Sequence, residues 1–119
     1  MKRISFTGDW DKLRDPRFTT IRSYRPEKEA YYRGLVGQTL IVWRKTGRSA
    51  WNGHKLGTAT LLSVEVVCPR WLPAGMIQQD VMTGGKPDPE WLARLMAMEQ
   101  GLLLGFESRS RYLGWFDGR

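Results

Sequence analysis

The sequence predicts an α+β fold, a small mixed β-barrel with short helices inserted between its strands. Three observations favour this class: runs of β-forming residues recur along the chain, the helical segments between them are short, and no glycine-rich turn follows the first strand as a doubly wound fold would require. A chain of 119 residues is long enough for one core and too short for two. We therefore expect residues 1–119 to form a single domain.

The first half of the chain carries strand and helix signals in turn. Residues 4–6 predict a short strand and residues 11–14 a single helical turn. Residues 17–22 form a β-like run. Pro26 then begins a predicted helix over 26–33, because proline is tolerated at the first helical position. Two further segments complete this half: a core strand at 38–44 and a basic loop or hairpin at 45–57.

The second half opens with the longest strand signal, residues 58–67, which ends before Pro69. The strongest helix prediction covers residues 87–99. There Asp88 is a candidate N-cap, Pro89 follows it, and apolar residues recur at helical spacing. The other elements predicted here are a short helix at 72–80 and a strand at 102–107.

Composition narrows the classes of function. The one cysteine, Cys68, cannot form an internal disulfide, and with His54 as the only histidine there is no zinc-ligand pattern. We therefore predict no metal and no cofactor. No apolar run approaches the roughly 20 residues that span a bilayer, and the N-terminus lacks a secretory pattern. We expect a cytoplasmic protein with no membrane partner, whose oligomeric state is left open.

Positive charge is concentrated in the first half of the chain. Residues 1–55 contain 13 Lys and Arg against 5 Asp and Glu, whereas the remainder contains 6 against 7. A basic field on one part of a small protein favours an anionic partner such as RNA or a nucleotide, although charge also serves solubility.

Residues 15–22 combine arginines and threonines on one β-like run. Alternation along a strand would place Arg17 and Thr19 on one face and Thr20 and Arg22 on the other. A guanidinium fork beside a hydroxyl suits phosphate, carboxylate or a base edge, which indicates an anionic or nucleoside-like ligand. The alternative is a solvated, arginine-rich edge strand.

Aromatic residues lie among these cations, and we predict that they stack on bases while the cations meet phosphates. Trp10, Trp43 and Arg14 belong to this pattern. The principal candidates for ligand or nucleic-acid binding are Arg17, Thr19, Thr20, Arg22, Tyr24, Arg25, Arg44, Lys45, Arg48, Trp51 and Lys55.

The order of elements resembles the ASCH domain, a member of the PUA-like superfamily, over residues 14–107. The family motif is G-x-K-x-x-T-x-R, and Thr20 and Arg22 match its threonine and arginine. Arg17 stands at the lysine position. The resemblance also rests on residues 18–22, the helix after them, Gly37 before a strand, residues 56–59 and residues 72–80.

The resemblance implies a PUA-like β-barrel whose cleft binds RNA or a nucleotide-like ligand, with roles in RNA metabolism or translation-linked regulation. Similar proteins include amidohydrolases of N4-acylated cytidine, and by position Thr20 would be the nucleophile and Asp80 the acidic residue. Arginine stays protonated, so Arg17 would hold an oxyanion or phosphate rather than act as a base. A third hypothesis is a protein-interaction domain whose cleft is filled by its own side chains.

Overall fold

The computed structural model describes residues 2–6, 11–46, 52–80, 82–83 and 86–108. The strands are β1 (Arg3–Phe6), β2 (Arg17–Ser23), β3 (Thr39–Lys45), β4 (Gly53–Val67), β5 (Met82–Thr83), β6 (Lys86–Pro87) and β7 (Gly101–Ser108). The helices are α1 (Pro26–Arg33), α2 (Ala74–Asp80) and α3 (Pro89–Ala97), with 3₁₀ turns at Asp11–Arg14 and Pro69–Trp71. Within the described part of the chain, none of the helices is long and apolar enough to cross a membrane.

Five strands form one mixed sheet in the order β1-β3-β4-β7-β2, and β5 pairs with β6 in a separate ladder. β1 runs parallel to β3, whereas the other neighbours in the five-stranded sheet are antiparallel. The predicted α+β class is therefore confirmed. No backbone ladder joins β1 to β2 among the described residues, so the sheet is not closed there.

The larger core lies against one face of this sheet. Alternate residues of each strand point into it, because successive side chains of a strand face opposite sides. Phe18 stacks on Phe106 with ring centroids 5.2 Å apart and meets the edge of Phe6 at 6.2 Å. The cluster comprises Ile4, Phe6, Leu13, Phe18, Leu35, Leu40, Val42, Leu56, Ala59, Leu61, Val64, Leu102, Leu104 and Phe106.

A smaller cluster lies on the opposite face, where α2 and α3 pack. Ile21 of β2, Ile77 of α2 and Leu95 of α3 are buried together there. Four partly buried residues surround them: Leu72, Trp91, Met98 and Leu103. The two helices therefore cover part of the β2 and β7 surface and leave the adjacent part to form a cleft.

Most element boundaries follow the sequence signals. The predicted N-cap of α3 is confirmed, since the Asp88 carboxylate accepts a hydrogen bond from the Trp91 amide at 3.0 Å. The predicted loop or hairpin at 45–57 is a hairpin whose second strand begins earlier than expected, at Gly53. The Thr46 amide donates to the Asn52 carbonyl at 2.9 Å at the base of this hairpin.

Candidate functional site

A cleft of about 460 Å³ opens where β2, β7 and β4 lie side by side near α2. Its volume falls within the range of about 300–1,000 Å³ that is typical of small-molecule sites. The lining residues are Arg17, Phe18, Thr19, Leu62, Ser63, Gly75, Met76, Gly105 and Phe106.

One row of residues crosses all three strands at the cleft. Thr19 of β2 pairs with Gly105 of β7, and Gly105 in turn pairs with Ser63 of β4. A Cβ atom added to Gly105 would lie 2.7 Å from the Ser63 Oγ, so a larger residue here would require the Ser63 hydroxyl to move. The row therefore presents two hydroxyls with an open backbone surface between them.

The next row adds opposite charges. Arg17 at the start of β2 pairs with Glu107 of β7. Arg17 is two residues from Thr19, and Glu107 is two residues from Gly105, the partner of Thr19, so both lie on the face that carries Thr19. The Arg17 side chain is exposed. Its guanidinium has no ion-pair partner among the described residues. A cation is thus available to a ligand at the mouth of the cleft.

A β-bulge shapes the apolar side of the cleft. The register between β4 and β7 shifts between Leu61 and Ser63, which leaves Leu62 outside the regular pairing. Leu62 is 41% exposed, and Met76 of α2 also lines the space. A ligand here would meet hydroxyl and guanidinium groups together with aliphatic and thioether surface.

Thr20 and Arg22 lie on the other face of β2, as the predicted alternation requires. Thr20 is only 4% exposed and shares a face with Phe18, in the larger core. The Arg22 Nη2 donates to the Ser5 carbonyl of β1 at 2.9 Å, and its guanidinium lies 5.0 Å from the centre of the Phe6 ring. The structure therefore brings Arg17 and Thr19 together in the cleft, with Thr20 and Arg22 directed away from them.

Other predicted site residues lie apart from the cleft. Tyr24 is half-buried after β2. The pKa of its hydroxyl is raised, mainly by desolvation and to a smaller extent by the nearby Glu29 carboxylate. Arg25 is exposed. The β3–β4 hairpin carries Arg44, Lys45 and Lys55. Arg48, Trp10, Trp51 and the side chains of Arg14 and Asp80 lie outside the described residues.

Sequence reasoning missed Lys12, Ser63 and Gly105. Lys12 is 6% exposed, and its ammonium donates to the Thr19 carbonyl at 2.8 Å, which ties the first 3₁₀ turn to β2. Gly105 carried a usable signal, because glycine inside a strand indicates a bulge or a close backbone approach. Ser63 carried none, since only the pairing of β4 with β7 reveals its position.

Within the described residues, no three His, Cys, Asp or Glu side chains are grouped to hold a metal ion. Cys68 is half-buried between β4 and the second 3₁₀ turn. The arrangement instead offers hydrogen-bond donors and one cation, which are the groups that bind phosphate and ribose.

Comparison with known proteins identifies no relative. No family model, curated protein or solved structure matches this chain.

Proposed function

We propose that this chain is an RNA- or nucleotide-binding module and that its cleft holds one nucleotide unit. The observation that carries the proposal is the Arg17 guanidinium beside the Thr19 and Ser63 hydroxyls around a cleft of about 460 Å³. Arginine binds phosphate through charge-assisted hydrogen bonds, hydroxyls suit ribose, and aliphatic surface suits the face of a base.

A binding function fits the geometry better than the two alternatives. The hydrolase hypothesis requires Arg17 and Thr20 to act on one ligand, yet the two residues occupy opposite faces of β2. The interaction-domain hypothesis expects a cleft filled by its own side chains, whereas the described residues leave this cleft open. We therefore favour reversible binding over catalysis.

A PUA-like barrel in a cytoplasmic RNA-binding protein is the architecture that we propose for this module. Two contacts support curvature of the sheet toward closure: Arg22 of β2 reaches the Ser5 carbonyl of β1, and Phe18 of β2 touches Phe6 of β1. These side-chain contacts connect β1 and β2, the two edge strands of the five-stranded sheet.

Titration with a panel of nucleoside 5′-monophosphates by isothermal calorimetry tests the proposal. The wild type should bind at least one of them, and Arg17→Gln should weaken that binding about tenfold or more. A hydrogen bond to a charged group contributes about 1.5–3 kcal/mol, and tenfold in affinity corresponds to about 1.4 kcal/mol. Ser63→Ala should cause a smaller loss, because its hydrogen bond is neutral.

Arg94→Gln is the matched control. Arg94 is an exposed arginine on α3 that pairs with Glu90 at 3.0 Å, and its replacement changes the net charge by the same amount. Equal affinity in the wild type and Arg17→Gln would contradict the proposal, as would an equal loss in Arg94→Gln.

A further inference from the structure

The half of the sheet formed by β1, β3 and the start of β4 is uniformly basic. Residues 2–6, 39–45 and 53–62 contain no Asp or Glu. No carboxylate within these strand segments therefore offsets their positive charge. Its titratable residues are Lys2, Arg3, Arg44, Lys45, His54 and Lys55.

Four of the residues in this half of the sheet share one surface, which we call the basic strand face: Arg3, Trp43, Lys45 and Lys55. Ile4 and Val42 point into the larger core, so Arg3, Trp43 and Lys45 face the other way. Lys55 is the cross-strand partner of Trp43, which places the two side chains about 5 Å apart at Cβ. Lys45 follows Trp43 by two residues, about 7 Å along the strand.

The centre of the basic strand face is held in place by packing. The Arg3 guanidinium lies 4.6 Å from the centre of the Trp43 ring, a cation–π arrangement. On β4, a Cβ atom added to Gly53 would lie 2.7 Å from the Trp43 Nε1, so the indole packs closely on this glycine. The stacked pair is thereby ordered before any ligand arrives, which lowers the entropic cost of binding.

We propose that the basic strand face binds the phosphodiester backbone of single-stranded RNA, independently of the nucleotide-sized cleft. This inference rests on the proposed function, since it takes RNA as the ligand and adds a second contact surface. Proteins that bind single strands combine a basic surface with stacking groups, and RNA bases stack on aromatic rings or guanidinium planes. Lysines supply charge to phosphates, while the Arg3–Trp43 pair supplies a planar surface.

The test measures binding of a short fluorescent oligouridine by anisotropy as salt increases. The double variant Lys45→Gln/Lys55→Gln should weaken binding. The plot of log K against log salt should also become less steep by about 1.4, because each phosphate contact in a single strand contributes about 0.7 to the slope. Binding of nucleoside monophosphates should not change. Thermal unfolding monitored by circular dichroism verifies that the variant is folded.

Arg70→Gln/Arg94→Gln is the matched control, because both arginines are exposed and lie outside β1, β3 and β4. This control variant has the same net charge as the double lysine variant. Its slope of log K against log salt should remain near the wild-type value. An equal fall in slope for both variants would overturn the inference, since general charge would then explain the binding.

The experiments distinguish failure of the cleft assignment from failure of the basic strand face assignment. If mononucleotides do not bind but oligouridine binds with a slope that depends on Lys45 and Lys55, the cleft assignment fails and the basic strand face is supported. If mononucleotides bind but oligouridine binding does not respond to the lysine changes, the cleft assignment is supported and the basic strand face assignment fails. Binding of heparin or duplex DNA as tightly as oligouridine, with the same lysine dependence, would overturn the assignment to single-stranded RNA.

Discussion

Gly53 is tightly constrained by its backbone conformation and its neighbours. Its φ angle is +147°, a value that residues with a Cβ rarely adopt. A Cβ atom there would clash with the Arg44 carbonyl oxygen and lie close to the Trp43 indole. The residue therefore fixes both the start of β4 and the position of Trp43 in the basic strand face.

Replacing Gly53 by alanine should lower the free energy of unfolding by about 1–3 kcal/mol, because the backbone must shift to relieve the contact. The matched comparison is Gly75→Ala in α2, where an added Cβ meets no atom of the described residues within 4 Å. That change should raise stability by about 0.5 kcal/mol, since alanine is the better helix former. Urea denaturation measures both, and equal effects of the two substitutions would contradict this account of Gly53.

Helix α3 owes its start to groups that are local in sequence. Asp88 caps the Trp91 amide, Pro89 occupies the first turn, and Arg94 pairs with Glu90 one turn away. Because these signals lie within a few residues of one another, the sequence predicted this helix and its cap. The early start of β4 was not predictable in the same way, because it depends on pairing with β3 across the hairpin.

Asp88→Ala should lower the free energy of unfolding by about 1 kcal/mol through loss of the cap. Asp88→Asn should retain most of the stability, since its amide oxygen can also accept the Trp91 hydrogen bond. Thermal unfolding followed by circular dichroism compares the two variants with the wild type. Equal losses for both would mean that the negative charge, rather than the hydrogen bond, stabilises α3.

At the scale of the whole molecule, Arg22 connects the two edge strands of the five-stranded sheet. It projects from β2, the last strand in that order, to the Ser5 carbonyl of β1, the first. The strand alternation of residues 17–22 was readable from sequence. The reach of Arg22 across the core, and the row of Thr19, Gly105 and Ser63, were not, because both depend on contacts between distant parts of the chain.

Arg22→Gln should increase amide hydrogen exchange in β1 about tenfold, because a lost hydrogen bond to a charged group costs about 1.5 kcal/mol and tenfold corresponds to about 1.4 kcal/mol. Arg17→Gln removes the same charge from the same strand but from the opposite face, so it should leave β1 unchanged. Unchanged exchange in β1 of the Arg22 variant would show that the Arg22 hydrogen bond does not stabilise β1.

The position of β7 between β4 and β2 affects the order in which the sheet can assemble during translation. β7 pairs with both β4 and β2, yet it is the last strand of the five-stranded sheet to be synthesised. During translation, β2 and β4 therefore emerge from the ribosome before the strand that separates them. We expect the cleft surface at Gly105 to be absent from the nascent chain until residues 101–108 have left the exit tunnel.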